Sequence, residues 1–330
     1  MKQEIAIIGA GVIGVTTALE LQRAGQTNIT IFTDKRPQDT TSTKAGAVFD
    51  PYRPGNMAEA EIIDITTLGL DRYNEIVRNH PESETGVRLH DHFAPGVKLQ
   101  NLDGPFAKVM GDARLLLSPD TKVPKGYHST IHYKNVPFID PPVTLHWLVT
   151  KFMQDGGRML KVPTITNLHE FIKNTPADIF FNCTGLGAGK LADDREIKPM
   201  RGQIVVLNRI PDFDYSYLTD DVLYVFPRTA TGMIICGGTT EEGIWDEETT
   251  EDAVARILDN APRLVPSLGS LDEKDILRTY AGLRPFRTSG PRIEKERVSG
   301  KILVHNYGHG GSGWTFNWGS AEKTIDLAFS

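Results

Sequence analysis

The residues best suited to chemistry lie near the end of the chain, in Val304-His305-Asn306-Tyr307-Gly308-His309-Gly310-Gly311-Ser312-Gly313. Four glycines crowded between 308 and 313 remove the Cβ atoms that would hold a flat ligand away from the backbone. Ile302 to Val304 reads as a short strand before this turn, and Trp314, Trp318, Ala321, Ile325 and Ala328 recur at helical spacing after it. A strand, a glycine turn and a helix together aim backbone N–H groups and a positive helix end at an electron-rich partner. A simple chain reversal is the alternative, but it needs neither so many glycines nor two flanking histidines and a tyrosine. Arg284 lies in the run Gly282-Leu283-Arg284-Pro285-Phe286-Arg287. Arginine is the side chain built to hold a carboxylate bidentately, and in apolar surroundings an unpaired guanidinium is costly. An anionic partner, protein or ligand, is therefore expected. Tyr224, in Leu223-Tyr224-Val225-Phe226-Pro227, reads either as a strand tyrosine packed on the core or as a second ligand contact.

These residues need a scaffold, and the N-terminus supplies a familiar one. Ile5 to Ile8 is a continuous apolar run of strand length, followed by Gly9, Gly11 and Gly14 in a G-x-G-x-x-G pattern. Val12 to Ala24 then reads as a helix stopped by Gly25, Ile29 to Thr33 as the next strand, and Asp34 closes that strand. In this context Gly9 makes the turn, Gly11 admits a pyrophosphate, Gly14 lets helix and strand pack closely, and Asp34 receives a ribose. Dinucleotide binding follows; the pattern alone does not separate FAD from NAD. Lys35 to Ala47 is polar and Thr/Ser-rich, which by composition is a solvated loop.

Taken together these segments resemble the D-amino-acid oxidase family, which includes D-aspartate oxidase. The resemblance is carried by the 304–313 segment with Gly319 and Ala321 beyond it, by Asn182-Cys183-Thr184-Gly185, by Met200 to Leu207, and by the Arg284 segment. It is strongest at both ends of the chain and around 180–207 and 278–294, and weak between about 55 and 135. It implies non-covalent FAD held by Gly9, Gly11, Val12, Ile13, Gly14, Asp34, Lys35, Thr40, Thr41, Ser42, Ala45, Gly46, Val162, Cys183, Thr184, Gly185, Gly308, Gly310, Gly311, Gly313, Trp314 and Thr315. It implies a D-amino acid whose carboxylate is fixed by Arg284 and Tyr224 and whose amine meets the Gly311 carbonyl. Hydride would pass from Cα to flavin N5 without a catalytic base, oxygen would be reduced to hydrogen peroxide, and the imino acid would hydrolyse to a 2-oxo acid and ammonia. D-aspartate oxidase, a glycine- or sarcosine-type amine oxidase, a nicotinamide dehydrogenase and a flavin-binding protein without turnover are the alternatives.

One departure concerns the lid. Where vertebrate members carry a further tyrosine, four residues before the Tyr224 position, this chain has Asp220; Tyr215 and Tyr217 stand nearby. Ile210 to Leu223 holds Asp212, Asp214, Asp220 and Asp221 and no Lys or Arg. An acidic lid would disfavour D-Asp and D-Glu and favour neutral side chains, with cationic ones also admissible.

The length of 330 residues exceeds the usual single core, which points to two domains. The fold expected is α/β: a Rossmann-like FAD-binding domain (1–53, 140–200 and 290–330) interleaved with an α+β substrate domain on an antiparallel sheet (54–139 and 201–289). A hydrophobic content of 39% and a net charge of −6 describe an ordinary globular chain and argue against nucleic acid. No membrane segment, signal peptide or C-terminal peroxisomal tripeptide is evident, and Cys183 and Cys236 read as buried thiols of a reducing compartment, so a cytoplasmic setting is expected. Met57 to Asn79 reads as an amphipathic helix, Thr249 to Asn260 as a second, and Asp140 as the N-cap of a helix over Val143 to Met153. His90-Asp91-His92 reads as a polar loop rather than a metal site. Self-association to a homo-oligomer is left open.

Overall fold

The computed structural model describes residues 3–96 and 99–330. Ile5–Ile8, buried at all four positions, sits in the middle of a six-stranded sheet. Its order is Arg292–Val298, Lys301–Tyr307, Ile179–Asn182, Ile5–Ile8, Ile29–Thr33, Arg158–Lys161. All neighbours pair in parallel except the outermost Arg292–Val298, which runs antiparallel to Lys301–Tyr307. The inner strands Ile5–Ile8 and Ile179–Asn182 are buried at every position, which is why they read as nearly continuous apolar runs, whereas the outer Arg158–Lys161 and Arg292–Val298 are polar and largely exposed. The expected dinucleotide unit is present, with helix Val12–Arg23 between the first two strands.

A nine-stranded sheet holds the rest. Its longest pairing sets Ile276–Arg287 antiparallel to Ile197–Asn208, and Tyr224–Arg228 pairs with Met233–Gly237 in the antiparallel register expected of that segment. The chain leaves the small sheet after Thr33, returns through helix Pro141–Gln154, leaves again along Ile197–Asn208 and comes back at Arg292–Val298. Helix Glu59–Asn79 buries Ile62, Ile65, Tyr73 and Ile76. It lies tightly on helix Gly313–Phe329, because a Cβ at Gly69 would stand 2.5 Å from the Thr315 carbonyl oxygen and one at Gly319 2.3 Å from that of Ile65. The second helix runs Glu251–Leu264 and is capped by Thr250, whose hydroxyl accepts from the Ala253 N–H.

Two expectations are corrected. His90-Asp91-His92 is no loop: it lies in strand Val87–Pro95, with both histidines buried and bonded to Ser216 (His92 Nδ1 at 2.7 Å, His90 Nε2 at 3.0 Å). Histidine reads as polar in a sequence, yet a satisfied neutral imidazole belongs in a core. Asp140 stands at the N-cap of Pro141–Gln154 but its side chain caps nothing; it accepts instead from Thr231 Oγ1 and faces the buried Arg228 at 3.8 Å. Among the described residues no cluster of ligands suits a metal ion, and no helix is long and apolar enough to cross a membrane. Cys183 and Cys236 are buried free thiols.

Candidate active site

Where the two sheets meet, a cavity of about 660 Å³ runs from the C-terminal end of the parallel strands to the face of the large sheet. Asp34 and Lys35 mark one end, together with Val162, Thr164 and Lys190. Asp34 is already positioned, since Thr164 Oγ1 donates to its Oδ2 at 2.9 Å. Gly9, at φ +110°, turns the chain under the cavity floor, and a Cβ there would meet the Cys183 carbonyl oxygen at 2.5 Å. Helix Val12–Arg23 starts at Gly11 without a side-chain cap, so its positive end faces the cavity. Val12 N–H donates to Ser42 Oγ at 2.9 Å, and Trp314 Nε1 donates to the Ser42 carbonyl at 2.9 Å. Ser42 therefore ties the first and last helices to the 40–46 segment. Those residues form short turns along the cavity wall, rather than the solvated loop that composition suggests.

Opposite them, Thr184 Oγ1 donates to Asn182 Oδ1 at 2.7 Å and Asn182 Nδ2 meets His305 Nδ1 at 3.1 Å, which fixes the 183–185 turn. The glycine turn closes the middle of the cavity. Gly308, Gly310, Gly311, Gly313 and Trp314 line it, and the Gly313–Phe329 helix begins at Ser312 with no side-chain cap. The Ser312 hydroxyl is spent elsewhere, donating to the Tyr52 carbonyl at 2.9 Å. Burial holds the His309 imidazole down to about 3 and pushes the Cys183 thiol up to about 12, so both stay neutral at ordinary pH.

At the far end Arg284, Tyr224 and Tyr52 converge. The Arg284 guanidinium lies 5.8 Å from the Tyr52 ring centroid and has one long contact, Nη1 to the Thr239 carbonyl at 3.4 Å. Among the described residues it has no ion-pair partner. Tyr224 stacks on Phe226 (centroids 4.4 Å apart, 14° between planes), and among the described residues its hydroxyl has no hydrogen-bond partner. Burial raises the Tyr224 phenol above its ordinary range, with Arg284 pulling the other way, so it stays protonated as a donor. Two glycines make the room: a Cβ on Gly202 would lie 2.3 Å from Arg284 Nη2, and one on Gly237 would lie 2.2 Å from the Tyr224 hydroxyl. Tyr52 Oη meets Thr240 Oγ1 at 3.0 Å, and its ring occupies the space where a Gly311 Cβ would go.

Of the residues expected from sequence, only Gly14 and Thr315 stay out of the cavity lining. Gly14 packs behind Gly9, and Thr315 Oγ1 holds the backbone of Asp50, accepting from its N–H and donating to its carbonyl. The lid expectation fails. Asp212, Asp214, Asp220 and Asp221 do not line the cavity; Leu218 and Val222 do. Tyr215 packs edge-on and Tyr217 at a tilt against Phe93 in the core of the large sheet, and neither lines the cavity. Arg228 and Arg287 are committed to Asp140 and Asp194 and do not reach the pocket. Lys44, Asp50, Tyr52, Trp245 and Glu247 line it and were not anticipated. Lys44 pairs with Glu247, and Arg201 holds the Trp245 loop through Glu241 and Asp246. Tyr52, an aromatic between Pro51 and Pro54, carried a usable signal; Lys44 and Glu247, distant in the chain, carried none.

A dinucleotide cradle that opens onto an unpaired arginine defines an oxidoreductase acting on a small carboxylate. The chain belongs to the FAD-dependent oxidoreductase family, whose model matches residues 4–327. It is 32% identical to a D-amino-acid oxidase of Streptomyces coelicolor, over 98% of this chain and 96% of that one. It is 29% identical to a D-amino-acid oxidase of Dictyostelium discoideum, over 99% and 91%. Among solved structures it superposes on a glycine oxidase of Bacillus cereus with a TM-score of 0.81, at 17% identity, over 99% of this chain and 95% of that one, a likeness of fold. FAD is the cofactor, and the residues present fit it: an acid at the ribose end, an uncapped helix start in the middle, and a glycine wall where Cβ atoms would intrude.

Proposed function

We propose that the protein oxidatively deaminates D-amino acids, consuming oxygen and water and yielding a 2-oxo acid, ammonia and hydrogen peroxide. The observation that carries this reading is Arg284, a cavity-facing guanidinium without an ionic partner, beside the free hydroxyl of Tyr224. A substrate carboxylate satisfies both, as a bidentate pair with Arg284 and an acceptor for Tyr224. The Gly311 carbonyl accepts from the α-amine, so carboxylate and amine are two fixed substituents on Cα; the requirement that the Cα hydrogen face the cofactor sets the third and hence the handedness of the substrate. Bound FAD supplies the acceptor for the hydride on Cα and passes the electrons on to oxygen. No side chain has to take a proton from Cα, and the neutral His309 and Cys183 fit a site without a general base. Leu218, Val222 and Phe226 give the side-chain end an apolar wall that accommodates neutral side chains.

In this reading 1–53, 140–200 and 290–330 bind FAD, while 54–139 and 201–289 hold the substrate. The two buried free thiols fit a reducing, cytoplasmic setting. The test is anaerobic mixing of the yellow holoprotein with D-amino acids, L-amino acids or NADPH. Bleaching by D-amino acids alone, followed by peroxide on admission of air, is expected; no bleaching with any D-amino acid rejects the proposal.

A further inference from the structure

Asp50 is a carboxylate in the cavity wall that the chemistry above does not use. Its backbone is held on both sides: Asp50 N–H donates to Thr315 Oγ1 at 3.0 Å, that hydroxyl donates back to the Asp50 carbonyl at 2.7 Å, and Pro51 follows. The side chain is thus presented from a fixed main chain. Among the described residues its oxygens have no hydrogen-bond or ion-pair partner. The other charges near that end are accounted for, since Arg284 faces the substrate carboxylate and Lys44 is neutralised by Glu247.

A half-buried carboxylate without a partner is poorly stabilised in a resting protein, and in a ligand cavity it suits a ligand-borne cation or donor. Burial pushes the Asp50 carboxyl up to about 7, as it would for a group that waits for its counter-charge. Reach is adequate. Asp50 and Tyr52 are joined by a tight turn, the Tyr52 N–H donating to the Asp50 carbonyl at 2.8 Å, and the Tyr52 ring centroid is 5.8 Å from the Arg284 guanidinium. A long substrate anchored at Arg284 by its carboxylate has the length to bring a terminal group to Asp50.

We infer that Asp50 is the receiving end of a side-chain subsite for the terminal ammonium or guanidinium of basic D-amino acids, with D-lysine the probe that tests it. This deepens the oxidase reading and rests on its placement of the substrate carboxylate at Arg284. It also revises the sequence-based ground for substrate choice, because the charge that sorts side chains is in the wall at Asp50 and not on the lid.

The experiment compares D-lysine with D-norleucine, which lacks only the terminal ammonium, in wild type and Asp50→Asn at pH 8. The kcat/KM ratio of D-lysine to D-norleucine should fall about ten- to a hundredfold in the variant, the usual worth of a charge-assisted hydrogen bond. D-norleucine itself should be little changed. A ratio unmoved by Asp50→Asn overturns the inference, and so does an equal loss for both substrates, which would assign Asp50 to the α-amine or to the fold. A binding arm separates this from the oxidase reading: 6-aminohexanoate and hexanoate, which have no α-amine to oxidise, are titrated against flavin absorbance. Tighter binding of 6-aminohexanoate in wild type but not in Asp50→Asn supports the subsite even if no D-amino acid is turned over. Equal binding of the two carboxylates in wild type overturns it whatever the turnover.

Discussion

Replacing Arg284 by alanine separates the two jobs an arginine in an apolar strand can have. Among the described residues the guanidinium makes one hydrogen bond, the 3.4 Å approach to the Thr239 carbonyl, lies over the Tyr52 ring and has no ion-pair partner. Removing it deletes a desolvated charge rather than a buried pair, so the fold should lose at most about 1 kcal/mol of hydrogen bonding. The ligand loses far more. A bidentate charged pair at a buried interface is worth roughly 2–5 kcal/mol, which at 1.4 kcal/mol per decade is about thirtyfold to several thousandfold in kcat/KM. Holoprotein from Arg284→Ala should therefore stay yellow, melt close to wild type and show the loss mainly as a raised KM. A double-mutant cycle with Tyr224→Phe should be non-additive, because both groups hold one carboxylate. Loss of FAD or precipitation of Arg284→Ala, with wild-type kcat/KM in the soluble remainder, would refute the reasoning and make the arginine structural.

Gly202→Ala should act on the same pocket without touching substrate: its Cβ displaces the flexible end of Arg284, so KM rises severalfold while FAD content holds, as peroxide-coupled kinetics would report. Gly237→Ala drives a Cβ into the rigid Tyr224 ring and should cost both activity and stability, about 1–3 kcal/mol by denaturant titration, as overpacked cores do. Asp34→Ala should weaken FAD binding severalfold in equilibrium dialysis while reconstituted enzyme keeps near-normal turnover; unchanged affinity would put the ribose elsewhere. Acid should unfold the apoprotein early. His90, His92 and His309 are buried with pKa values lowered by burial, the latter two to about 3, so the unfolded chain takes up protons that the fold excludes. Stability is then full above the ordinary value near 6.5 and is lost as pH falls from there toward about 3, at up to about 1.4 kcal/mol per pH unit per histidine. Melting temperatures flat between pH 7 and 4 would contradict this.

What could be read from sequence follows from how each feature is encoded. The N-terminal cradle is local: glycines at 9 and 11 and an acid at 34 line the cavity through backbone and spacing, with Gly14 packed behind Gly9, and the fold keeps their order. The 308–313 turn is legible for the same reason. Asp50 and Lys44 are different. Lys44 is an ordinary polar residue in a polar stretch and Asp50 a single acid after the apolar Ala45–Phe49 run, and the meaning of each depends on partners that only folding supplies: Thr315 under the Asp50 backbone, and Glu247 opposite Lys44. The lid failed from the opposite cause. Four aspartates within ten residues carry a strong compositional signal, but composition does not say which way a loop faces, and the cavity meets Leu218 and Val222 instead. His90 and His92 went astray through the same blindness to direction, since a strand hides alternate residues and a hydroxyl from Ser216 satisfies both rings.

The pocket therefore divides its labour in a way the chain's order conceals. Arg284 and Tyr224 reach the cavity from strands of the large sheet, where glycines on neighbouring strands hollow out the space around them. Asp50 and Tyr52 reach it from the connection between the sheets, clamped to the first turn of the last helix by Thr315 and Ser312. On the proposed reading the rigid sheet sets where a carboxylate is held, which every amino-acid substrate shares. On the same reading the connecting segment sets what the side chain meets, so a change there should alter preference without disturbing the anchor. That separation is why Asp50→Asn should sort D-lysine from D-norleucine, whereas Arg284→Ala should penalise both alike.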